Sequence, residues 1–229
     1  MSPMEHPLGA VCWLDLGVPD VAGAADFYGQ LFGWSIAQPD SDGYRLAAAD
    51  GELVAALGPA EDHGTPYWTV YLHTKDITAT TAAVVTAGGV SVVPPSAVGD
   101  IGTAAVVRDP YGGPLSLWQP GTHSGTHASG GHGTLHGVRY RTDDPQGAAA
   151  FFHAVAGWQL APDGRFTVDG VTVARCAPGL PGAPSPWLVE FAVADAATAV
   201  AGARELGARS LHGEPTVMRD PWGTVFALR

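Results

Sequence analysis

Apolar and polar positions along this chain follow one plan, written four times. An alternating run such as WLDLGV, from Trp13, ends at an aspartate able to cap a helix; a small-residue amphipathic segment follows, and glycine stops it. The capping and stopping residues are Asp20 and Gly33, Asp76 and Gly88, Asp144 and Gly157, and Asp195 and Gly207. Their separations run 13, 12, 13 and 12 residues, so the chain reads as one pair of units repeated.

Each unit predicts a strand, a helix and three further strands. In the first, Val21, Ala24, Ala25, Phe27, Tyr28, Leu31 and Phe32 fall near one helix face, and YRLAAA and LVAALG flank Gly51 as a hairpin. The second runs from PYWTVYLHTKD through VSVVP and TAAVVRD to the tight turn DPYGG at Asp109 to Gly113, then PLSLWQ. In the third, Pro145 stands in the first helical turn, where a missing N–H costs little, and Gly157 and Trp158 repeat Gly33 and Trp34. The fourth ends DPWGTVFALR, and its cap lies 25 residues before the DP turn against 33 in the second unit. Eight residues are missing around its second strand, so one wall of the second half is expected to be shorter. Trp68 and Trp187 alternate onto the face under the helices and are expected in the core.

These units predict an α+β chain of two domains, 9–120 and 134–229. The tract between them, 121–133, has no large apolar residue and reads as a flexible linker. Its histidines His123, His127 and His132, with His136 beyond, are expected to be solvated, because a Gly and Ser tract supplies no fixed ligand geometry. His63 and His212 fall in loops without an identifiable partner.

Composition narrows the function. Hydrophobic residues make up 46% and charged ones 14%, as in a globular chain, and the formal charge of −11 leaves no basic stripe for a phosphate backbone. Nucleic acid is therefore not an expected partner. No segment is long and apolar enough to span a bilayer, and the N-terminus has no targeting pattern, which predicts a soluble cytoplasmic protein without a membrane partner. Cys12 and Cys176 stand in different halves and are expected as free thiols. The single Lys75 lies beside a helix cap, and neither a phosphate-cradling glycine loop nor a nucleophile elbow is present.

DFYGQLFGW and RDPYGG, with WLDL, LFGW and LSLWQP, resemble the vicinal oxygen chelate superfamily of glyoxalase, bleomycin-resistance and extradiol-dioxygenase type proteins. The chain is similar to its tandem two-domain actinobacterial members, some of which are encoded with antibiotic pathways. The resemblance implies two glyoxalase-like domains, each of paired βαβββ units forming an eight-stranded open cup, with a divalent ion at the base in metal-using members. It places the metal ligands seven residues before each capping Asp and seven after the DP-turn Asp. Here those positions hold Trp13, Thr69 and Ser116, then Gly137, Leu188 and Ala227. None is a competent ligand set, so no metal and no cofactor are expected.

Strand alternation then defines the cup faces. In the first half Trp13, Asp15 and Gly17 face Thr69, Tyr71 and His73, with Ser116 and Trp118 on the last strand. Two readings fit: a pocket for a flat, partly polar molecule, with Asp15 and His73 as a base and its orienter, or a plug in which Trp13 fills the abandoned metal space. In the second half Gly137, Arg139 and Arg141 face Leu188, Glu190 and Ala192. Arg139 and Glu190 either form a buried structural pair or present Arg139 to an anionic or quinone-like oxygen. The expected function is metal-free binding of a hydrophobic or aromatic small molecule, antibiotic or polyketide-like, by a monomer or homodimer. The alternatives are a cofactor-independent isomerase, cyclase or oxygenase helper with Asp15 and His73 or Arg139 and Glu190 as its catalytic residues, and then a metal-dependent dioxygenase or glyoxalase.

Overall fold

A computed structural model describes residues 6–60, 65–179, 183 and 185–229; His63 lies outside them. The first half contains β1 (Val11–Val18), α1 (Val21–Phe32), β2 (Ser35–Ile36), β3 (Arg45–Ala49), β4 (Glu52–Pro59), β5 (Trp68–His73), α2 (Ile77–Thr86), β6 (Val90–Val98), β7 (Gly102–Arg108) and β8 (Pro114–Pro120). The second contains β9 (Leu135–Arg141), α3 (Pro145–Ala156), β10 (Gln159–Leu160), β11 (Arg165–Val168), β12 (Val171–Ala177), β13 (Trp187–Phe191), α4 (Ala196–Glu205), β14 (Arg209–Leu211), β15 (Glu214–Arg219) and β16 (Val225–Leu228).

All four aspartate caps form. Asp20, Asp76, Asp144 and Asp195 each accept from the backbone N–H three residues on, at 2.7 to 2.9 Å. Gly33 and Gly157 close α1 and α3 in the left-handed conformation, which a side chain would strain.

The strands build two eight-stranded sheets of the same order, β2-β3-β4-β1-β5-β8-β7-β6 and β10-β11-β12-β9-β13-β16-β15-β14. In each, the first strands of the two units pair antiparallel at the centre, flanked by parallel partners. Neither sheet closes into a barrel. The missing residues of the fourth unit shorten the outermost strand, from nine residues in β6 to three in β14.

The helices lie on the convex faces, and one apolar core spans both halves. Trp68, Tyr28, Phe32 and Trp34 join Phe191 and Phe226 there, while Trp158, Trp187, Phe152 and Tyr140 form its other side. Reciprocal hydrogen bonds tie the halves. Tyr28 donates to Asp220 at 2.9 Å and Tyr140 to Asp109 at 2.6 Å; the Trp34 indole reaches the Gly133 carbonyl at 2.9 Å and the Trp158 indole that of Gly9 at 2.8 Å. Burial pushes the Asp109 and Asp220 carboxyls above their ordinary range, although each accepts a tyrosine hydroxyl and two backbone N–H groups. The DP turns are therefore struts between halves. Cys12 and Cys176 are free, and burial raises the Cys12 thiol to about 12.

The tract 121–133 departs from the flexible linker its composition suggests. The Thr126 N–H bonds the Cys12 carbonyl at 2.8 Å, the His127 N–H bonds that of Leu53 at 2.9 Å, and His6 Nε2 meets the Thr126 carbonyl at 3.0 Å. Gly125 lies so close to the Cys12 carbonyl that any Cβ would collide with it. Backbone hydrogen bonds fix this strap, and small residues permit the approach.

Candidate functional site

The convex faces meet in the shared core, so the concave faces turn outward as two separate cups. In the first, Trp13, Trp118, Cys12 and Ala56 form an apolar cluster distinct from the main core. The strap seals it: the His123 ring stands edge-on to Trp13 with centroids 4.5 Å apart, and the Trp118 indole donates to the His123 carbonyl at 2.9 Å. Trp13 is 7% and Trp118 4% exposed. At this end the plug reading describes the structure, and neither indole faces solvent as a binding wall.

The other end of the same cup is open. A cavity of about 190 Å³ is lined by Asp15, Tyr44, Tyr67, Thr69, Tyr71 and Ser116, with Gly17 at its edge. Tyr71 is central: it pairs with Trp13 on β1 and Ser116 on β8, and its hydroxyl donates to Asp15. Burial first, and then the Asp15 charge, push the Tyr71 phenol well above its ordinary range, so it stays protonated and donates. The Tyr44 ring lies against Gly58, where a Cβ would clash with it.

His73 is on the same face but remote from Asp15. Asp15 pairs with Thr69, four residues short of His73, which the strand rise converts to about 13 Å. His73 Nδ1 instead meets the His6 carbonyl at 2.7 Å. The pair that forms is Asp15 with Tyr71.

The second cup holds charge. Arg139 bonds Glu190 at 2.7 Å, and Arg229 meets the same carboxylate oxygen at 2.6 Å while reaching Thr216 at 3.0 Å. Arg141, 5% exposed at its side chain, grips both oxygens of Glu214 at 2.7 and 2.8 Å. Burial pushes the Glu190 carboxyl up, opposed by the charges of Arg139, His136, Arg175 and Arg141. Beside this network Leu188, Val217, Val225 and Ala227 pack as an apolar floor. A Cβ on Gly137 would meet nothing nearer than a Glu190 oxygen at 3.8 Å.

Among the described residues, the positions where the superfamily places its ligands carry no donor set for a divalent ion in either cup. The first offers an indole and two neutral hydroxyls at the positions where the superfamily places ligands. The second offers Gly137 and two packed apolar residues, with the guanidinium groups of Arg139 and Arg229 around the nearby carboxylate, where they repel a cation. Among the described residues, no group of three or more His, Cys, Asp and Glu side chains is arranged to hold a metal. No described helix is long and apolar enough to cross a membrane.

Tandem βαβββ pairs with open cups define the vicinal oxygen chelate fold. The chain belongs to the glyoxalase-like domain family, whose model matches residues 12–118 and again 137–229. It is 39% identical to the anthracycline biosynthesis protein DauV of a Streptomyces species, over 96% of this chain and 92% of that protein. It is 32% identical to the putative glyoxylase CFP32 of Mycobacterium bovis, over 98% and 95% respectively. The Mn(II)-bound glyoxalase from Novosphingobium aromaticivorans shares the fold with a TM-score of 0.65 at 15% identity, covering 96% of this chain and 81% of that one.

Sequence reasoning missed Tyr44 and Tyr67 in the first cup, and Arg175, Glu214 and Arg229 in the second. Arg229 was findable, because it stands nine residues after Asp220 as Trp118 does after Asp109. The others come from strands and loops whose register the repeat does not set.

Proposed function

We propose that this protein binds an aromatic, hydroxylated or quinone-like small molecule without using a metal ion, as an accessory protein of secondary metabolism or by sequestering the compound. The observation that carries this reading is the open end of the first cup. There Tyr44, Tyr67 and Tyr71 supply aromatic wall, while Asp15, Ser116 and Thr69 supply polar groups able to orient a ring bearing oxygens. At about 190 Å³ the cavity takes one substituted ring, and the rest of a fused system would extend from the mouth. The naming of similar proteins for anthracycline biosynthesis favours the same ligand class.

Calorimetric titration with a dihydroxyanthraquinone tests it. Saturable binding that persists in excess chelator and weakens at least about tenfold in Tyr71→Phe and Asp15→Asn is expected, a loss of about 1.4 kcal/mol. Binding abolished by the chelator, or unchanged in both variants, overturns the reading.

A second reading is cofactor-independent proton transfer, favoured by the hydrogen bond from Tyr71 to Asp15. A carboxylate held by a phenol that stays protonated resembles a base with its orienting donor. Hydrogen–deuterium exchange into an enolisable aromatic ketone, catalysed by the wild type and lost in Asp15→Asn, distinguishes turnover from binding alone.

A further inference from the structure

Four strands end the two sheets: β2 and β6 in the first, β10 and β14 in the second. Three of them are two or three residues long, whereas β6 runs for nine. A short edge strand offers an incoming chain little to pair with, and a long apolar one is a template for it. β6, with the sequence VSVVPPSAV, is long and apolar, and no described strand lies along its outer side.

Exposed apolar surface collects at the same place. Of ten large apolar side chains exposed among the described residues, six are Val85, Val90, Val92, Val93, Val98 and Ile101, at 39 to 57%, on the end of α2, on β6 and in the turn that follows. A contiguous patch of this kind marks an interaction surface, where single exposed apolar residues do not. Between Asp76 and Asp100 the sequence has no acid and no base, in a chain whose formal charge is −11. Charge bounds the strip instead of crossing it. In the hairpin of β6 and β7, Val90 lies opposite Arg108 at one end and Val98 opposite Gly102 at the other, with Asp100 in the turn. No hydrogen bond or ion pair among the described residues engages the side chain of Arg108 or of Asp100.

We propose that β6 is the surface on which a second copy of this chain docks, in a two-fold dimer whose β6 strands run antiparallel. The charges at the two ends specify that occupant. A two-fold axis near Pro94 and Pro95 sets the Val90 end of each strand against the Val98 end of the other, so Arg108 of each copy meets the partner's Asp100. A parallel arrangement would set like charge on like. Burial of the valines carries the affinity, and the exposed ion pairs, worth about 0 to 1 kcal/mol each, fix the register. Pro94 and Pro95 have no N–H to donate, and the ladder to β7 shifts register on both sides of Val93, so backbone pairing is confined to the two arms of the strand. Such a contact consumes the long edge of both copies and leaves only short ones, so assembly stops at two. β6 contributes no residue to the first-cup cavity, and the dimer does not depend on what that cavity binds.

The test is sedimentation velocity of the full chain from micromolar to millimolar concentration, where a reversible monomer and dimer equilibrium is expected. Asp100→Arg and Arg108→Asp each place like charges at both ends of the contact, and each is expected to weaken dimerisation at least about tenfold. An equimolar mixture of the two variants is expected to restore the dimer, because opposite charges then meet again at both ends; a merely misfolded variant would not recover. Val92→Glu, at an exposed position, is expected to abolish dimerisation with the melting temperature unchanged, and Val171→Glu, at an exposed valine of the second half, to leave it intact. A monomer alone at millimolar concentration, a dimer indifferent to Val92→Glu or to charge reversal, a mixture that stays monomeric, or assembly past the dimer overturns the proposal.

Discussion

The two cups are built on one plan and filled with opposite chemistry. Counting from the capping and DP-turn aspartates, Trp13 corresponds to Gly137, Asp15 to Arg139, Tyr71 to Glu190 and Trp118 to Arg229. The same two positions bond across the central strands in both, as a phenol on a carboxylate in one cup and a guanidinium on a carboxylate in the other. The surrounding charge follows this division. Before residue 134 there are thirteen acids and three bases; from 134 onward there are nine acids and eight bases. The fold thus specifies where a cross-strand pair must be satisfied and leaves its chemistry to vary. Where the superfamily seats a metal, one cup has substituted bulk and the other has left space.

The largest test of that contrast removes the bulk. Trp13 is nearly fully buried among Trp118, Ala56, Cys12 and the His123 ring, so Trp13→Ala leaves a cavity that the strap cannot refill. A loss of about 3 kcal/mol is expected, lowering the melting temperature by roughly 6 to 12 °C for a chain of this size. Denaturant unfolding with an unchanged slope would confirm a packing loss. A loss below about 1 kcal/mol would show that the first cup is not sealed.

Much of this architecture was legible in the sequence, because the four caps, the glycine stops and the alternation of the central strands are local signals. Period-two alternation also put Asp15, Tyr71, Arg139 and Glu190 on the right faces. It could not choose Tyr71 over His73 as the neighbour of Asp15, since that depends on the antiparallel register across β1 and β5, which shifts between Val11 and Trp13. The strap was illegible for a different reason. It is held by backbone bonds to Cys12 and Leu53 and by histidine rings, so its order leaves no apolar period. The struts from Tyr28 to Asp220 and from Tyr140 to Asp109 join residues that only the docked halves bring together.

A second, smaller effect separates the cups by acid. His6 and His123, which hold and form the strap, lie below their ordinary range mainly because they are buried, with His73 acting on His6 and His127 on both. His127 also has Glu52 at 3.8 Å. A histidine lowered in the fold takes its proton more readily when unfolded. Stability from the strap is therefore complete above about pH 6.5 and falls as the pH drops through the lower folded values. Tryptophan emission should shift to the red at pH 5 relative to pH 7.5 as Trp13 and Trp118 become hydrated, and His123→Phe should remove much of the shift. In the second cup, burial raises Glu190, which works in the opposite sense by adding stability as the pH falls. An identical shift in His123→Phe would place the acid response outside the strap.

The smallest effect is expected at the position corresponding to Trp13. A Cβ on Gly137 has only a Glu190 oxygen at 3.8 Å within reach, an ordinary contact, and its backbone is not in the left-handed region. Gly137→Ala therefore introduces no collision, and it narrows the unfolded ensemble, an effect worth about 0.4 to 1 kcal/mol where the native backbone tolerates the methyl. Part of that gain is offset because the methyl crowds water from the Arg139 and Glu190 pair, so a net change within about 0.5 kcal/mol is expected by chemical denaturation. The same substitution would be costly if the second cup were packed like the first, because a methyl group forced into a filled core typically costs about 1 to 3 kcal/mol. A near-neutral Gly137→Ala beside a strongly destabilising Trp13→Ala is thus the signature of one closed cup and one open one. Equal losses at the two positions would mean that the repeat preserved packing as well as fold.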